Sequence, residues 1–348
     1  MRILGIETSC DETSAAVVED GCSVLSNVIA SSQQTFRLLA GVIPEEAARK
    51  QVECMMPVLR QALDEAKLSL GDIDAIAVTR GPGLLGSLLV GTTTARAIAS
   101  VWKKPLIGVH HTLGHLSSTW LQATESPSFP ILTLSASGGH TDLWYRTSHL
   151  HGSLIGRTRD DAAGEAFDKG ASMLALPYPG GPSIAKKAEG GNHNAYKFPS
   201  PLHQENTLDF SFSGLKTSLK YLLRDLPLDP IATPDDARIR DIAASFQHGI
   251  CLHLLDRLEH AIAQFHDAKE VHLVGGVSAN KHLRALTQEL SIASSIMLRV
   301  PATGAFCTDN AAMIAAAGYF LWQESGEDAA KPFDTAASIP LEEVIYNR

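Results

Sequence analysis

Three histidines stand close together in Leu106-Ile-Gly-Val-His-His-Thr-Leu-Gly-His115. The apolar run Leu106 to Val109 reads as a buried strand bounded by Pro105. If Thr112 opens a helix, His111 and His115 fall one turn apart on the same face. Two imidazoles at i and i+4 can share one metal ion. Two ligands do not complete a site, so a third, oxygen-bearing ligand has to come from elsewhere in the chain. Otherwise these are polar side chains that hydrogen-bond locally at a helix start.

A second kind of chemistry is written in glycine. Ala136-Ser-Gly-Gly-His140 is a tight turn between Ile131–Ser135 and the return strand from Thr141. Gly275-Gly-Val-Ser-Ala-Asn280 ends a strand before a helix, and Gly81-Pro-Gly83 is similar. Exposed backbone N–H groups in such turns bind anionic oxygen, and helix N-termini add a favourable field. One glycine turn is more often only a turn. Several of them, each at a strand end, point to a cleft for a nucleotide-like ligand. No GxxxxGK[ST] and no GxGxxG is present, so neither a P-loop ATPase nor a Rossmann dehydrogenase is supported.

The elements that must position these residues repeat once. Residues 2–7 and 14–19 read as strands around the polar turn Thr8-Ser-Cys-Asp-Glu-Thr13, and Cys22–Ala30 as a third strand. Pro44-Glu-Glu46 opens a helix to about Ala66, with proline and acids where a first turn favours them. Ala75–Thr79 is a strand and Leu88–Val101 a helix. After a linker at Ala123–Pro130, strand, polar turn and strand recur, which predicts a duplicated lobe with the two hairpin turns facing each other across the cleft. Residues 161–176 and 236–266 read as helices, Tyr178–Pro182 as a loop, and 190–213 as irregular. Ile296–Val300 is the last strand, followed by a helix from Thr308 to Glu324.

Composition bounds the reading. The chain has 348 residues, 45% hydrophobic and 19% charged, which suits two lobes of about 150 residues each. Five scattered cysteines without a CxxC give no disulfide framework, so a reducing cytoplasm is the default. No apolar run approaches a membrane span. A net charge of −9 argues against autonomous nucleic-acid binding through a generally basic surface.

Taken in order, Ile6-Glu-Thr-Ser-Cys-Asp-Glu-Thr-Ser14, Gly81-Pro-Gly83, His111-xxx-His115, Ser137-Gly-Gly-His-Thr141, Asp160–Lys169, Tyr178-Pro-Gly-Gly-Pro182, Asp209–Thr217, Gly275–Asn280 and Cys307-Thr-Asp-Asn310 resemble the TsaD family of tRNA adenosine threonylcarbamoyltransferases. The resemblance runs from residue 1 to about 320. It implies an α/β, two-lobed actin/Hsp70-like (ASKHA, ribonuclease H-like) fold. The first lobe would span 1–122 and the second 123–318, with an insertion near 183–235 and a tail, 319–348, on the first lobe. It makes Asp309 the third ligand beside His111 and His115, for one divalent ion per subunit, iron ahead of zinc. It makes Ala136, Ser137, Gly138, Gly139, His140, Asp168, Gly181 and Asn280 substrate-binding residues, and Asp11 a residue of the transfer step.

The implied reaction moves a threonylcarbamoyl group from threonylcarbamoyl-AMP to N6 of adenosine 37 in tRNAs that read codons beginning with adenine. The implied partners are tRNA, TsaB (a degenerate paralogue), the ATPase TsaE, and TsaC as supplier of the intermediate. Arg49, Lys50, Lys186, Lys187 and Lys216 are candidate tRNA contacts. Two positions depart from the family pattern: His110 where asparagine is usual, and Gln51 where histidine is usual. The rival readings are a non-catalytic scaffold like TsaB, a metalloprotease and a small-molecule kinase. The protease lacks HExxH and a glutamate beside the metal histidines in the chain.

Overall fold

The computed structural model describes residues 1–31, 43–226, 237–343 and 345. The first residue of the expected 236–266 helix, the 227–235 part of the expected insertion and the end of the tail lie outside the described residues. In chain order the elements are β1 (Arg2–Glu7), β2 (Glu12–Glu19), β3 (Ser23–Ser31), α1 (Pro44–Ala66), β4 (Ala75–Gly81), α2 (Leu85–Trp102), β5 (Leu106–His110) and α3 (His111–Ser117). Then come β6 (Ile131–Ala136), β7 (Thr141–Arg146), β8 (Gly152–Arg157), α4 (Ala163–Met173), α5 (Gly180–Ala188), α6 (Ser213–Asp225), α7 (Ala237–Gln264), β9 (Glu270–Val274), α8 (Lys281–Ala293), β10 (Met297–Arg299) and α9 (Ala311–Ser325). The chain divides into two compact units.

The first unit comprises residues 1–129, 146–153 and 300–348. Its sheet has the order β3-β2-β1-β4-β5. β1 is antiparallel to β2 and parallel to β4, and β4 is parallel to β5. Nearly every residue of β1, β2 and β4 is buried, because helices cover both faces. Leu4, Ile6, Ala15, Val17 and Val78 form one core with Val58, Leu59 and Ala62 of α1 and Ala95 of α2. On the other face α9 lies against the sheet, buried along Ala311–Gly318. Its alanines allow a close approach to Gly5, where a Cβ would stand 2.2 Å from the Ala311 carbonyl oxygen.

The second unit comprises residues 130–145 and 154–299. Its sheet has the order β10-β9-β6-β7-β8, with β6 parallel to β9 and β9 parallel to β10. Read from the β8 edge this is the path of the first sheet, strand for strand. One local expectation fails here. Tyr178–Pro182, read as a loop, runs into α5 from Gly180. Pro182 sits in that helix's first turn, where a missing N–H costs no helical bond, and Ile184 and Ala188 bury the face that fixes it. Residues 190–212 carry no helix or strand beyond one bridge, Thr158 to Phe210. No helix among the described residues is long and apolar enough to cross a membrane.

Candidate functional site

Strand β5 delivers the histidines. His110 ends it and caps α3: its Nδ1 accepts from Thr112 N–H at 3.2 Å, and its Nε2 donates to the Ile339 carbonyl at 2.9 Å. Burial pushes its pKa down to about 4, so it stays neutral and keeps both bonds. The unusual histidine is therefore a helix cap. One turn of α3 then sets the rings of His111 and His115 4.8 Å apart, edge to face. Behind them Arg146, fully buried, donates to the Leu116 carbonyl at 2.8 Å and holds the helix.

Asp309 arrives from the far end of the chain. Ser14 of β2 accepts from Ala311 N–H at 2.9 Å, and Asn310 caps α9 by accepting from Met313 N–H at 3.0 Å. The helix thus begins at residue 311, later than the sequence pattern indicates, and leaves Asp309 just outside it. Asp309 Oδ1 is 3.2 Å from His115 Nε2 and 3.5 Å from His111 Nε2. One ligand atom from each of the three residues lies within 4.8 Å of the others, the one such group among the described residues.

The electrostatics fit a cation. Glu7, at the end of β1, accepts from His111 Nδ1 at 3.0 Å and from the Thr79 hydroxyl at 2.6 Å, and it also accepts from Ser9 N–H. That bond keeps a proton on Nδ1 and leaves Nε2, directed at Asp309, as the nitrogen that a metal ion would take in place of a proton. Burial opposes charge on His111, but Asp309 and Glu7 outweigh it and raise its pKa well above the usual value. The field that favours a proton there favours a metal ion equally. Burial also opposes charge on Asp309, and the two histidines overcome it, holding its carboxyl well below the usual range. His115 is fully buried and Nε2 has no hydrogen bond. A nitrogen left so is costly unless something accepts its lone pair. Separations of 3.2 and 3.5 Å match the edges of a tetrahedron with arms of about 2.1 Å. The residues present fit a divalent metal ion with open positions left over.

The β1–β2 turn borders this group. Asp11 is 5% exposed. Burial pushes Glu12 up to about 10, helped by Asp309 and Asp11, so Glu12 is protonated at neutral pH. Gln51 on α1 holds the turn from behind, its amide N–H₂ directed at the carbonyls of Thr8, Cys10 and Glu12 at 3.4, 3.0 and 2.9 Å. The second departure from the family pattern is thus a donor that ties the turn to α1.

The other expected site residues all lie in the second unit. Ala136 ends β6, and Ser137 folds the following turn on itself: its Oγ is 2.9 Å from His140 Nδ1 and accepts from the N–H groups of Gly139 and His140 at 3.3 and 3.2 Å. A side chain at Gly138 or Gly139 would meet nothing within 4 Å, so the tip is open. Its base is not. Gly275 has φ +84°, and a Cβ there would stand 2.4 Å from the Ala136 carbonyl oxygen; one on Gly164 would stand 2.6 Å from that of Ser137. Asp168 on α4 accepts from Gly180 N–H at 2.7 Å, which fixes the start of α5 and with it Gly181. Burial raises the Asp168 pKa. Asn280 caps α8, accepting from the N–H groups of His282 and Leu283 at 2.9 and 3.1 Å, while its own N–H₂ donates to Gln247 at 2.8 Å.

Sequence reasoning assigned no role to Glu7, Gly164 or Gln247. Glu7 carried a signal, a carboxylate closing an apolar strand. Gln247 and Gly164 carried none, because their partners are distant in the chain. Of the candidate tRNA contacts, Arg49 pairs with Glu45 at 2.8 Å, Lys50 stands 3.8 Å from Glu53, and Lys216 pairs with Asp161.

Comparison with known proteins adds the following. The family profile described as TsaD, tRNA N6-adenosine threonylcarbamoyltransferase, matches residues 23–316. A protein of that name from Symbiobacterium thermophilum is 49% identical over 322 residues, 92% of each chain. Another of that name, from Trichlorobacter lovleyi, is 46% identical over 345 residues, covering 99% of this chain and 98% of its own. Among solved structures, HypF of T. kodakarensis superposes with a TM-score of 0.60 at 14% identity, over 95% of this chain and 49% of that one, a likeness of fold alone.

Proposed function

This chain belongs to the TsaD family, the tRNA N6-adenosine threonylcarbamoyltransferases, and from that premise we propose how its residues carry the reaction. The chain transfers the threonylcarbamoyl group from threonylcarbamoyl-AMP to N6 of adenosine 37 in tRNAs reading codons that start with adenine. The N6 nitrogen attacks the carbamoyl carbon, the bond to the phosphate oxygen breaks, AMP leaves, and N6 releases one proton. N6 is a weak nucleophile, so holding the reactants in line supplies much of the rate.

In the first unit His111, His115 and Asp309 hold one divalent ion, iron in preference to zinc. Bound there, the ion supplies a Lewis acid that orients substrate oxygens and offsets negative charge as it develops. Glu7 fixes the His111 tautomer, and Asp11 acts in the transfer. In the second unit the open tip at Gly138 and Gly139, with Ala136, Ser137 and His140, receives the phosphate. Asp168 accepts from ribose hydroxyls, and Gly181 and Asn280 line the nucleoside. The two units are the duplicated lobes of an actin/Hsp70-like fold. The protein works in the cytoplasm with TsaB and TsaE, on an intermediate supplied by TsaC. An exposed apolar stripe lies on neighbouring helices, Val52 and Met56 of α1 with Leu85 and Leu89 of α2.

The observation that carries the metal-dependent reading is the buried His115 Nε2, unbonded and 3.2 Å from Asp309. Nucleoside mass spectrometry tests it. Cells depleted of this protein lose threonylcarbamoyladenosine; wild type restores it and His111→Ala does not. Rescue by both proteins removes the metal from the mechanism. An unchanged nucleoside level, with no second gene copy, removes the transferase reading and revives the scaffold.

A further inference from the structure

Three histidines outside the His-His-Asp group gather in the second unit. His248 lies on α7 and His282 in the first turn of α8, with His248 Nδ1 and His282 Nε2 2.8 Å apart. The ring of His193, from the segment after α5, is centred 4.4 Å from that of His248 and 5.8 Å from that of His282. Three separate stretches of chain bring them together, so no sequence spacing reveals them. The backbone around His193 is built in place. Asn192 N–H donates to Asp241 at 2.8 Å, Asn194 N–H to the Asn192 side chain at 3.0 Å, and Tyr196 N–H to the Ser245 hydroxyl at 3.2 Å. The His193 side chain is exposed, outside the core.

Burial, and then the neighbouring imidazoles, lower the pKa of His248 to about 4; burial and His193 also lower that of His282. The pair is neutral at pH 7, the state in which imidazole binds metal. The two nitrogens now share a hydrogen bond. An ion with arms of about 2.0 Å would sit between them after an opening of a few tenths of an ångström. We infer that His193, His248 and His282 form a second metal site, for a divalent transition ion that prefers nitrogen ligands: zinc, nickel or copper. His248 and His282 supply the preformed pair, and His193 swings in as the third ligand. The site adjoins Asn280 on both sides, since Asn280 caps the helix that carries His282 and bonds to Gln247, next to His248. An ion there braces that cap.

Zinc counting tests the assignment. The full chain is stripped with chelator, dialysed against Zn²⁺ and analysed for metal. Wild type retains two zinc ions, His248→Ala/His282→Ala one, His111→Ala/His115→Ala one, and the fourfold variant none. His193→Ala, a change at an exposed side chain that leaves the fold intact, weakens the second zinc about tenfold or more. Copper electron paramagnetic resonance on His111→Ala/His115→Ala shows hyperfine coupling to imidazole nitrogen, and His282→Gln in that background abolishes it. A single zinc in wild type, a second zinc that survives loss of His248 and His282, or an unchanged affinity in His193→Ala overturns the inference.

Discussion

Glu7 carries more of the site than its place in the sequence indicates. Its carboxylate is buried, and Ser9 N–H, the Thr79 hydroxyl and His111 Nδ1 all use it. A glutamate therefore does stand beside a candidate metal histidine in space, but on the ring nitrogen that faces away from Asp309. It orients the ring and raises its basicity; it is not placed to act as a protease base. Glu7→Gln keeps the shape and removes the charge. Metal affinity, read by competition with a chromophoric chelator, should fall 10–100-fold while the fold survives. Unchanged affinity would reduce Glu7 to a strand-end anchor. In the second unit the corresponding single-residue test is Gly275→Ala. A side chain there has to adopt φ +84° and meets the Ala136 carbonyl at 2.4 Å, so backbone must move. We expect a loss of about 1–3 kcal/mol in denaturant unfolding and weaker AMP binding, because the turn that shifts is the one assigned to phosphate. AMP affinity equal to wild type would separate the turn from the phosphate.

At the scale of elements, an apolar stripe on α1 and α2 stays exposed among the described residues. Val52 is 63% and Met56 64% exposed, one turn apart, while Val58, Leu59 and Ala62 on the same helix are buried. The apolar side of helix α1 is thus wider than the part that the described residues bury. Met56→Asp should leave the chain's thermal unfolding within about 0.5 kcal/mol of wild type, because the side chain is exposed. A larger loss would show that Met56 is covered in the folded chain. The same helix shows what sequence could and could not tell. Its start at Pro44 and its acids in the first turn are local signals and were readable. So were the strands other than β8, the duplicated hairpin and the His111–His115 spacing, which need only a few residues each. The start of α9 was misplaced by a few residues because its cap, Asn310, and its anchor, Ser14, act through contacts far apart in sequence. The helix α5 was missed because Pro and Gly dominate its first turn, and the buried Ile184 and Ala188 decide the outcome. The third candidate ligand came only from family resemblance. No local pattern marks Asp309 as the neighbour of His111.

Across the whole chain, the first unit is closed by residues from both ends. β1 and β2 begin the chain, and α9, which packs on them, comes after residue 300. An ion held by His111, His115 and Asp309 would be a cross-link between those distant stretches, and it binds only where the fold has brought them together. Such a ligand stabilises by mass action: free metal at 1,000 times its dissociation constant adds about 4 kcal/mol. The gain belongs to the unit that holds the ligands. Hydrogen exchange can locate it. In a His248→Ala/His282→Ala background, which keeps the histidine cluster of the second unit silent, metal loading should slow exchange in peptides covering α3, the β1–β2 turn and the start of α9. Peptides from β6, β7, α4 and α8 should exchange as before, and chelator should reverse the effect. Slowing confined to α3 would mean that Asp309 is not a ligand, since nothing would then tie the late helix to the early strands. Equal slowing in both units would mean that metal acts on the chain as a whole and that the His-His-Asp group is not where it binds.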